Sequence, residues 1–350
     1  MFIRKFISIG HGGFSKETFY NQNEKRVFSI VYDCGSYRQK EIEYKIDNNT
    51  LADKQEVIDI LFLSHFDNDH INGVEHLLDR CQVKKLMIPS YNTPVLLTEY
   101  IISTTHGSSF SPTPASRIIE RVIYHSSIDD VETVYIQKDG DKTNYTAGNH
   151  NSGTAISSPI KEIWEYIPYN LPFNEDEYEN FYNWFIGKYS ACQNENGINI
   201  SIVAELLADR NVFSEVKREV KKLKGRNKHS MILYSGPVEL KNNKTEERAP
   251  CLYMGDYEAT QTNVSTIINL LDYRWPFIHL LQVPHHGSIH NYQKGSGLYN
   301  NHIVGITFAS ESEENYPAKE IKNEIVENQG IPIKVSYSEY TEVIVVIKNY

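Results

Sequence analysis

An apolar segment that ends in a cluster of metal-ligand side chains places the strongest constraint on what this chain can fold into. Residues 58–63 are largely apolar, and His65, Asp67, Asp69 and His70 follow almost immediately. A buried strand that ends in imidazoles and carboxylates is how α/β folds place chemistry at the carboxyl end of a strand. We therefore predict a strand here, with a metal site directly after it.

The spacing of these four side chains favours two ions over one. Successive side chains of an extended segment point to opposite faces, so a continuing strand would place His65, Asp67 and Asp69 on one side. His70 would then turn onto a second position. The alternative is a polar loop in which Asp67 or Asp69 caps the following helix.

Two further predicted strands end in residues of the same chemical types. Segment 251–254 is followed by Asp256 after one glycine, and segment 277–283 is followed by His285 and His286 after one proline. Imidazole and carboxylate together suit Zn²⁺, Mn²⁺ or Fe²⁺ rather than a metal that prefers thiolates. The three strand ends are therefore predicted to meet at one metal centre.

The predicted centre has the residue types of a two-metal hydrolase. Two ions about 3.5–4 Å apart share a bridging carboxylate and hold a hydroxide that acts as the nucleophile. Asp256, which follows a glycine, is the natural bridge. Asp67 occupies a position where a third imidazole would make the site softer. Its carboxylate makes the site harder and therefore favours manganese more than an all-histidine site would, with zinc as the other candidate.

Composition limits the class of protein. The chain has 350 residues, enough for one large domain or two ordinary ones, and a formal net charge of −10. This acidic balance argues against binding to long duplex DNA, which depends on contacts from Lys and Arg to phosphates. No apolar run approaches the length of a membrane span. The four cysteines are scattered without a CxxC pair and no secretory signal is evident, which predicts reduced thiols and a cytoplasmic location.

The composition changes between residues 90 and 225, which are rich in Tyr, Asn, Ser and Glu. We predict helices at 177–189 and 200–207, an exposed loop at 103–116 and a second loop at 137–155. We interpret this region as an insertion, within a single domain covering 1–350, that shapes access to the site and offers a surface for partner proteins.

A run of lysines and arginines lies near the end of this region, at 216–224. A solvated helix face is the simpler interpretation of such a run. The functional alternative is a patch that guides a phosphate-bearing ligand.

The rest of the chain alternates between strand and helix patterns, which is typical of a layered α/β fold. Further strands are predicted at 2–9, 14–20, 27–32, 83–88, 230–234, 303–308, 333–337 and 342–347. Further helices are predicted at 36–56, 71–81, 261–271 and 318–328.

The sequence HFDNDH at residues 65–70 resembles the HxHxDH signature of the metallo-β-lactamase fold, in the form HxDxDH. Together with Gly255–Asp256 and the sequence PHHGS at 284–288, it resembles the β-lactamase-like domain of ComEC-type DNA-uptake proteins. Residues 9–12 and 32–35 are similar to the VGQG and IDxG segments of those proteins, with His11 in place of glutamine.

Two later segments agree with the same resemblance. Residues 227–230 are similar to an NxxS strand start, and residues 315–317 are similar to an NxYGHP segment that here lacks two residues. The resemblance implies an αββα sandwich with a large, partly helical insertion, and it implies a binuclear metal hydrolase.

The resemblance also implies roles for the ligand residues. His65 and Asp67 would hold one ion, Asp69 and His70 would hold the other, and Asp256 would bridge them. The two ions would be Zn²⁺ or Mn²⁺.

The resemblance assigns the remaining ligand positions less completely. His285 would be the last ligand, with His286 and Ser288 near the substrate phosphate. His229 or Asn227 lies about where the third histidine of the first ion is expected.

The activity implied is cleavage of phosphodiester bonds in nucleic acid or nucleotides, with Asp69 and His286 as candidate catalytic residues. ComEC-type proteins carry membrane segments around this domain and this sequence has none, so DNA uptake does not follow. Two other functions remain open: hydrolysis of a lactone or thioester, and a metal-bearing effector or binding module of a multi-protein system such as a defence system.

Overall fold

The structure is a computed structural model. It describes residues 1–50, 56–124, 128, 131–140, 148–195, 197–223, 229–240, 249–299 and 302–348.

The strands in the described residues follow in chain order. They are β1 (Phe2–Phe6), β2 (Gly12–Tyr20), β3 (Arg26–Ser36), β4 (Val57–Ile58), β5 (Ile60–Phe62), β6 (Gln82–Val83), β7 (Lys85–Pro89), β8 (Glu132–Ile136), β9 (Asn149–His150), β10 (Trp164–Tyr169), β11 (Gln193–Asn194), β12 (Gly197–Ile198), β13 (Ile232–Pro237), β14 (Cys251–Tyr253), β15 (Leu280–Gln282), β16 (Val304–Phe308), β17 (Ile331–Val335) and β18 (Val343–Ile347).

The helices lie between and around these strands. They are α1 (Gln39–Lys45), α2 (Asn68–Ile71), α3 (Val74–Arg80), α4 (Thr93–Thr104), α5 (Pro114–Ile123), α6 (Asp176–Lys188), α7 (Ile200–Ala208), α8 (Arg210–Val220), α9 (Gln261–Leu271) and α10 (Lys319–Glu327).

Two large sheets organise the molecule. The first has the strand order β18-β1-β2-β3-β5-β7-β8-β9, and the second has the order β10-β13-β14-β15-β16-β17. Neighbours from β3 to β9 in the first sheet and from β14 to β17 in the second are parallel. The carboxyl ends of β5 in the first sheet and of β14 and β15 in the second lead into the predicted ligand residues, and strand carboxyl ends are where α/β folds place functional residues.

The strands of the second sheet divide their side chains between two layers. Leu233 and Tyr253 belong to the apolar core that also contains the first sheet, whereas Tyr234 and Leu252 pack on the other side with α9 and α10. This alternation follows from the period of two in a β-strand. The two sheets therefore pack face to face with helices outside, in agreement with the predicted αββα sandwich.

A buried ion pair links the two sheets. Arg4 Nε on β1 lies 2.6 Å from Glu17 Oε1 on β2, and neither side chain is exposed. Ser235 on β13 and Tyr253 on β14 both donate hydrogen bonds to Glu17, at 2.8 Å and 2.7 Å. Tyr166 on β10 donates another at 2.7 Å. The carboxylate is thus satisfied by donors from both sheets, which a buried charge requires.

Most of the elements predicted outside the central region are confirmed. The helix predicted at 261–271 has those bounds, and the strands and helices after residue 300 agree to within a few residues. The helix predicted at 36–56 is shorter: α1 and a π-helical turn (Ile46–Thr50) cover residues 39–50, and residues 51–55 lie outside the described residues. All four cysteines are buried and free, as predicted for reduced thiols.

The central region contains more structure than the sequence indicated. Helices 177–189 and 200–207 are confirmed as α6 and α7, but the loop predicted at 103–116 is wrong at both ends, because α4 continues to Thr104 and α5 begins at Pro114. Pro114 lies in the predicted loop, yet it occupies the first turn of α5, as Pro94 does in α4, and proline costs no hydrogen bond there. The basic segment falls on α8 and the turn after it, where Arg218 and Lys222 pair with Glu219.

Strands from the 90–225 region join both large sheets. β8 and β9 extend the first sheet, and β10 forms an edge of the second, where Tyr169 pairs with Ile232 of β13. Helices α6, α7 and α8 therefore lie in one long connection between two neighbouring antiparallel strands. The boundaries 90 and 225 of an insertion stay a prediction.

Candidate metal centre

The loop after β5 does not continue as a strand. β5 ends at Phe62, and α2 begins at Asn68 with Asp67 in an extended conformation at its N-cap position. The prediction that His65, Asp67 and Asp69 share one side of a strand is therefore wrong, because the helical turn redirects Asp69 and His70. Asp67 makes no side-chain capping hydrogen bond, so the capping role is not supported either.

Three histidines are oriented in the same way, each through its Nδ1 atom. His65 Nδ1 lies 2.8 Å from Ser64 Oγ, His70 Nδ1 lies 2.9 Å from Asp33 Oδ2, and His286 Nδ1 lies 3.1 Å from the Phe308 carbonyl oxygen. Histidines that ligate metals characteristically engage one ring nitrogen with a nearby polar group, which fixes the other nitrogen towards the ion. In all three rings Nε2 faces the carboxylates of the site.

Asp256 lies between the other ligand residues and is almost fully buried. Its Oδ1 is 3.0 Å from His70 Nε2 and 3.8 Å from His286 Nε2. Its Oδ2 is 3.8 Å from His65 Nε2 and 3.7 Å from His285 Nε2. The two carboxylate oxygens thus face different histidines, the arrangement expected of a bridging ligand.

Two groups of ligand atoms among the described residues are compact enough to hold an ion. One comprises His65, His70 and Asp256, and the other comprises Asp69, His70 and His286, with the ligand atoms of each group within 4.8 Å of one another. Asp69 Oδ2 lies 3.1 Å from His286 Nε2. Asp67 stands at the edge of the first group, with Oδ2 3.8 Å from His65 Nε2.

The proximity of carboxylates and imidazoles shifts their pKa values. Burial alone would lower the pKa of His70, but the Asp256 and Asp33 carboxylates outweigh it and raise this pKa well above its usual value. Burial likewise opposes a rise in the pKa of His286, which Asp256 and Asp69 nevertheless raise. Burial would raise the pKa of Asp256, yet the neighbouring histidines hold it well below its usual range.

His229 is buried beside this centre, with its ring centroid 6.4 Å from that of His65, and its role as a metal ligand stays a prediction. Its Nδ1 lies 3.2 Å from the Tyr178 hydroxyl and its Nε2 lies 3.5 Å from Glu99 Oε1. The Tyr91 hydroxyl donates to its carbonyl oxygen at 2.6 Å, and the ring centroid of Phe173 is 4.9 Å away. Burial, followed by the nearby His65, lowers the pKa of His229 to about 3. Asn227, the other candidate at this position, lies outside the described residues.

The segment that carries His285 and His286 has an unusual backbone. Both histidines and Gly287 have positive φ, of 47°, 54° and 75°. A Cβ on Gly287 would lie 2.3 Å from the Pro317 Cβ atom, so this position requires glycine. Ser288 follows directly and accepts a hydrogen bond from the His290 backbone N–H at 3.3 Å.

A groove of about 740 Å³ adjoins the centre. Ser288 lines it, two residues beyond His286, and Tyr316 forms another part of its wall. The ring of Tyr316 is 5.0 Å from the ring of His11, which in turn lies 4.2 Å from the ring of His286. Tyr316 and His11 thus connect the wall of the groove to His286, while no ligand residue of the centre lines the groove itself.

Several residues of the centre were weakly indicated or missed by the sequence. His11, which pairs with Glu313, follows a turn glycine, and Asp33 lies near the end of β3; for both residues an ordinary structural role was equally compatible with the sequence. Glu99 was missed, although a single carboxylate within the otherwise apolar helix α4 is a signal that could have identified it. Its side chain is buried and faces His229.

The residues present fit a divalent metal centre. Nε2 of His65 is buried and makes no hydrogen bond within the described part of the chain, which leaves it available as a ligand. Imidazole and carboxylate donors converge without a thiolate, a set that suits Zn²⁺ or Mn²⁺. The carboxylates also supply negative charge that would offset that of a bound cation.

Comparison with known families agrees with this geometry. The family model of the metallo-beta-lactamase superfamily matches residues 25–158. That range contains Asp33 and the ligand residues 65–70, so over this part the chain is similar to a superfamily of metal-dependent hydrolases. A search of curated proteins finds no match. Within the described residues, no helix is long and apolar enough to cross a membrane.

Proposed function

We propose that this protein is a metal-dependent phosphodiesterase that acts on nucleic acid or nucleotides. The observation that carries the proposal is the convergence of five buried or half-buried ligand side chains, from three strand ends, on two adjoining positions: His65, Asp69, His70, Asp256 and His286. The proposed ions are two Zn²⁺ or Mn²⁺. The family match supports metal-dependent hydrolysis, and the choice of bond is our inference.

In this proposal, residues of the chain orient the metal-ligating histidines and bind the reacting group of the substrate. When bound at the two groups of ligand atoms, divalent cations would lower the pKa of a water nucleophile and would stabilise charge on the scissile phosphate. Asp33 and Ser64 hold His70 and His65 in the orientation that such ions require. Asp69 and His286, which contact each other beside the groove, are the proposed catalytic pair that binds the reacting group and carries a proton.

The groove supports a phosphate-bearing substrate of limited size. Lys319 and Lys322 lie on its wall, as do Glu314 and Glu320, so its charged side chains are balanced. Duplex binding depends on many cationic contacts to phosphates, which this groove does not offer. We therefore propose single strands or small nucleotides as substrates, with the Ser288 hydroxyl near the phosphate.

The proposal is tested by incubating the purified protein with Mn²⁺ or Zn²⁺ and a panel of substrates. The panel contains single-stranded DNA, RNA, cyclic dinucleotides, a chromogenic phosphodiester, a lactone and a thioester. Asp69→Asn is the inactive control, and Glu162→Gln, an exposed surface change, is the matched active control. Cleavage of a phosphodiester by the wild type and by E162Q, but not by D69N, is expected.

Other outcomes decide between the alternatives. Turnover of the lactone or thioester alone would replace the phosphodiesterase by a hydrolase of another bond. No turnover of any substrate with metal demonstrably bound would favour a metal-bearing binding module, with partner proteins recruited through the 90–225 region.

A further inference from the structure

The two large sheets end in four edge strands within the described residues: β9 and β18 in the first sheet, and β10 and β17 in the second. An edge strand presents a row of N–H and C=O groups that can pair with another strand. Proteins usually protect such an edge by making the strand short, by placing proline or lysine on it, or by covering it with a loop. The four edges differ in this respect.

Three of the edges are protected. β9 has only two residues. The Gly153 backbone N–H donates to the Pro168 carbonyl oxygen on β10 at 2.8 Å, so the segment before β10 covers part of its outer edge. β17 contains Pro332, which has no N–H to donate, and Lys334, whose charge opposes burial in an interface.

The remaining edge strand, β18, has none of these features. Its sequence is VIVVI, and within the described residues it pairs with β1 alone. A strand with one face in water normally alternates apolar with polar residues. In β18 the residues that point away from the core are apolar as well: Ile344 is 52% exposed and Val346 is 48% exposed. This composition is typical of a strand that is covered on both faces.

The exposed apolar face continues from β18 onto β1. Val346 pairs with Ile3 in the ladder between the two strands, and the Ile3 side chain is half-buried on the same face. Ile3, Ile344 and Val346 together form the β18 surface. A partner that adds a strand to this edge would cover these side chains as well as pair with the backbone.

A second copy of β18 fits this edge because the strand is complementary to itself. A twofold axis through Val345 makes the two copies antiparallel and gives the same surface on both sides. In that register Ile344 of one copy lies opposite Val346 of the other, and Val343 lies opposite Ile347. Every cross-strand pair then joins two β-branched residues, which is a favourable combination.

The charges that flank the strand agree with the same register. Lys348, which is exposed, lies three residues after Val345, and Glu342 lies three residues before it. The twofold axis therefore places Lys348 of one copy opposite Glu342 of the other, at both ends of the paired strands. Opposite charges at facing positions stabilise such a pair.

We propose that the protein forms a symmetric dimer through antiparallel pairing of β18 with β18 of a second copy. The first sheets of the two chains then become one continuous sheet, and the β18 surfaces cover each other. This proposal goes beyond the proposed function and does not rest on it, because no residue of the metal centre lies on β18.

Sedimentation-velocity ultracentrifugation of the full chain over a range of concentrations tests the dimer. The wild type is expected to reach twice the mass of the single chain. Ile344→Lys and Val346→Lys are each expected to raise the dissociation constant at least about tenfold, because a symmetric dimer buries each introduced charge twice. Ile331→Lys is the matched control, since Ile331 is 58% exposed on the protected edge strand β17, and it is expected to leave the constant unchanged.

Cysteine substitutions test the register. Val345→Cys places two thiols at the twofold axis, within reach of a disulfide, so mild oxidation is expected to give a covalent dimer. In Val343→Cys the two thiols would be roughly 14 Å apart, because they are offset by four positions along the strands, and no cross-link is expected. The four natural cysteines are buried, which limits background oxidation.

Several results would overturn the proposal: a wild type that stays monomeric at every concentration, unchanged dissociation constants in I344K and V346K, an I331K variant that dissociates as readily as I344K, or a cross-link in V343C but not in V345C. Circular dichroism establishes that each variant is folded. If I344K does not fold, V346K decides the comparison with I331K.

Discussion

His70 Nδ1 lies 2.9 Å from the Oδ2 atom of Asp33, a buried residue at the end of β3 with φ of +56°. The same carboxylate accepts hydrogen bonds from the Ser64 backbone N–H at 2.7 Å and from the Ser64 hydroxyl at 2.9 Å. Asp33 thus connects one histidine of the centre to the loop that carries another. Its carboxylate contacts the Nδ1 atom of His70, whereas the Nε2 atom of that ring faces Asp256.

Asp33→Asn is expected to weaken metal binding about 10–100-fold, because residues that orient ligating histidines typically have effects of this size. A competition titration against a chromophoric chelator measures the affinity. Asp59→Asn is the matched control, since Asp59 also accepts a backbone hydrogen bond, from Ser29 at 2.9 Å, but lies between β4 and β5 and contacts none of the histidines of the centre in the described hydrogen bonds and ion pairs. Equal affinities in D33N and the wild type would refute the positioning role.

Removal of metal is expected to lower the thermal midpoint of the wild type, because bound ions stabilise only the folded state. Saturation at 100 times Kd contributes about 2.7 kcal/mol. Differential scanning fluorimetry with EDTA, followed by return of Mn²⁺ or Zn²⁺, measures the shift. In Asp256→Asn, which removes the shared carboxylate charge, EDTA is expected to have little effect on the thermal midpoint. A decrease of the midpoint as large as in the wild type would contradict the assigned site.

Glu17→Gln is expected to destabilise the fold by about 3–5 kcal/mol, since it leaves the buried Arg4 guanidinium without its countercharge. Urea denaturation of the metal-free protein measures the free energy of unfolding. A loss of less than about 1 kcal/mol would show that the pair is not important for joining the sheets. The surface variant E162Q is expected to stay within about 0.5 kcal/mol of the wild type.

Acid is expected to destabilise the metal-free protein partly through His229. The pKa of His229 is lowered to about 3 in the folded state, below the usual value near 6.5, so the unfolded chain binds the proton first as the pH falls. The free energy of unfolding should therefore decrease between about pH 6.5 and pH 3, by up to about 1.4 kcal/mol per pH unit from this group. Urea denaturation of the wild type and of His229→Phe across this range measures the difference, and parallel pH profiles would contradict it.

The sequence predicted the ligand clusters well because strand ends and ligand types are local signals. Residues 65–70, Asp256 and the 285–286 pair were identified before their contacts were known, and the structure brings most of them together. The orientation of His229 was not predictable, because Glu99 and Tyr178, which it faces, come from helices 51 or more residues away. Helix α4 was also missed, because it is buried on nearly all sides and so lacks an amphipathic period.

The pairing of Tyr169 with Ile232 means that α6, α7 and α8 interrupt a single β-hairpin. A short designed turn joining β10 to β13 would preserve the register of the second sheet while removing the side chain of Tyr178 from His229. Such a shortened chain would show whether the sandwich can assemble without the residues that surround the His229 imidazole in the natural chain. Because buried side chains of this connection such as Phe185, Val203 and Val216 belong to the same apolar core as the sandwich, the shortened chain would also show how much that core depends on the three helices.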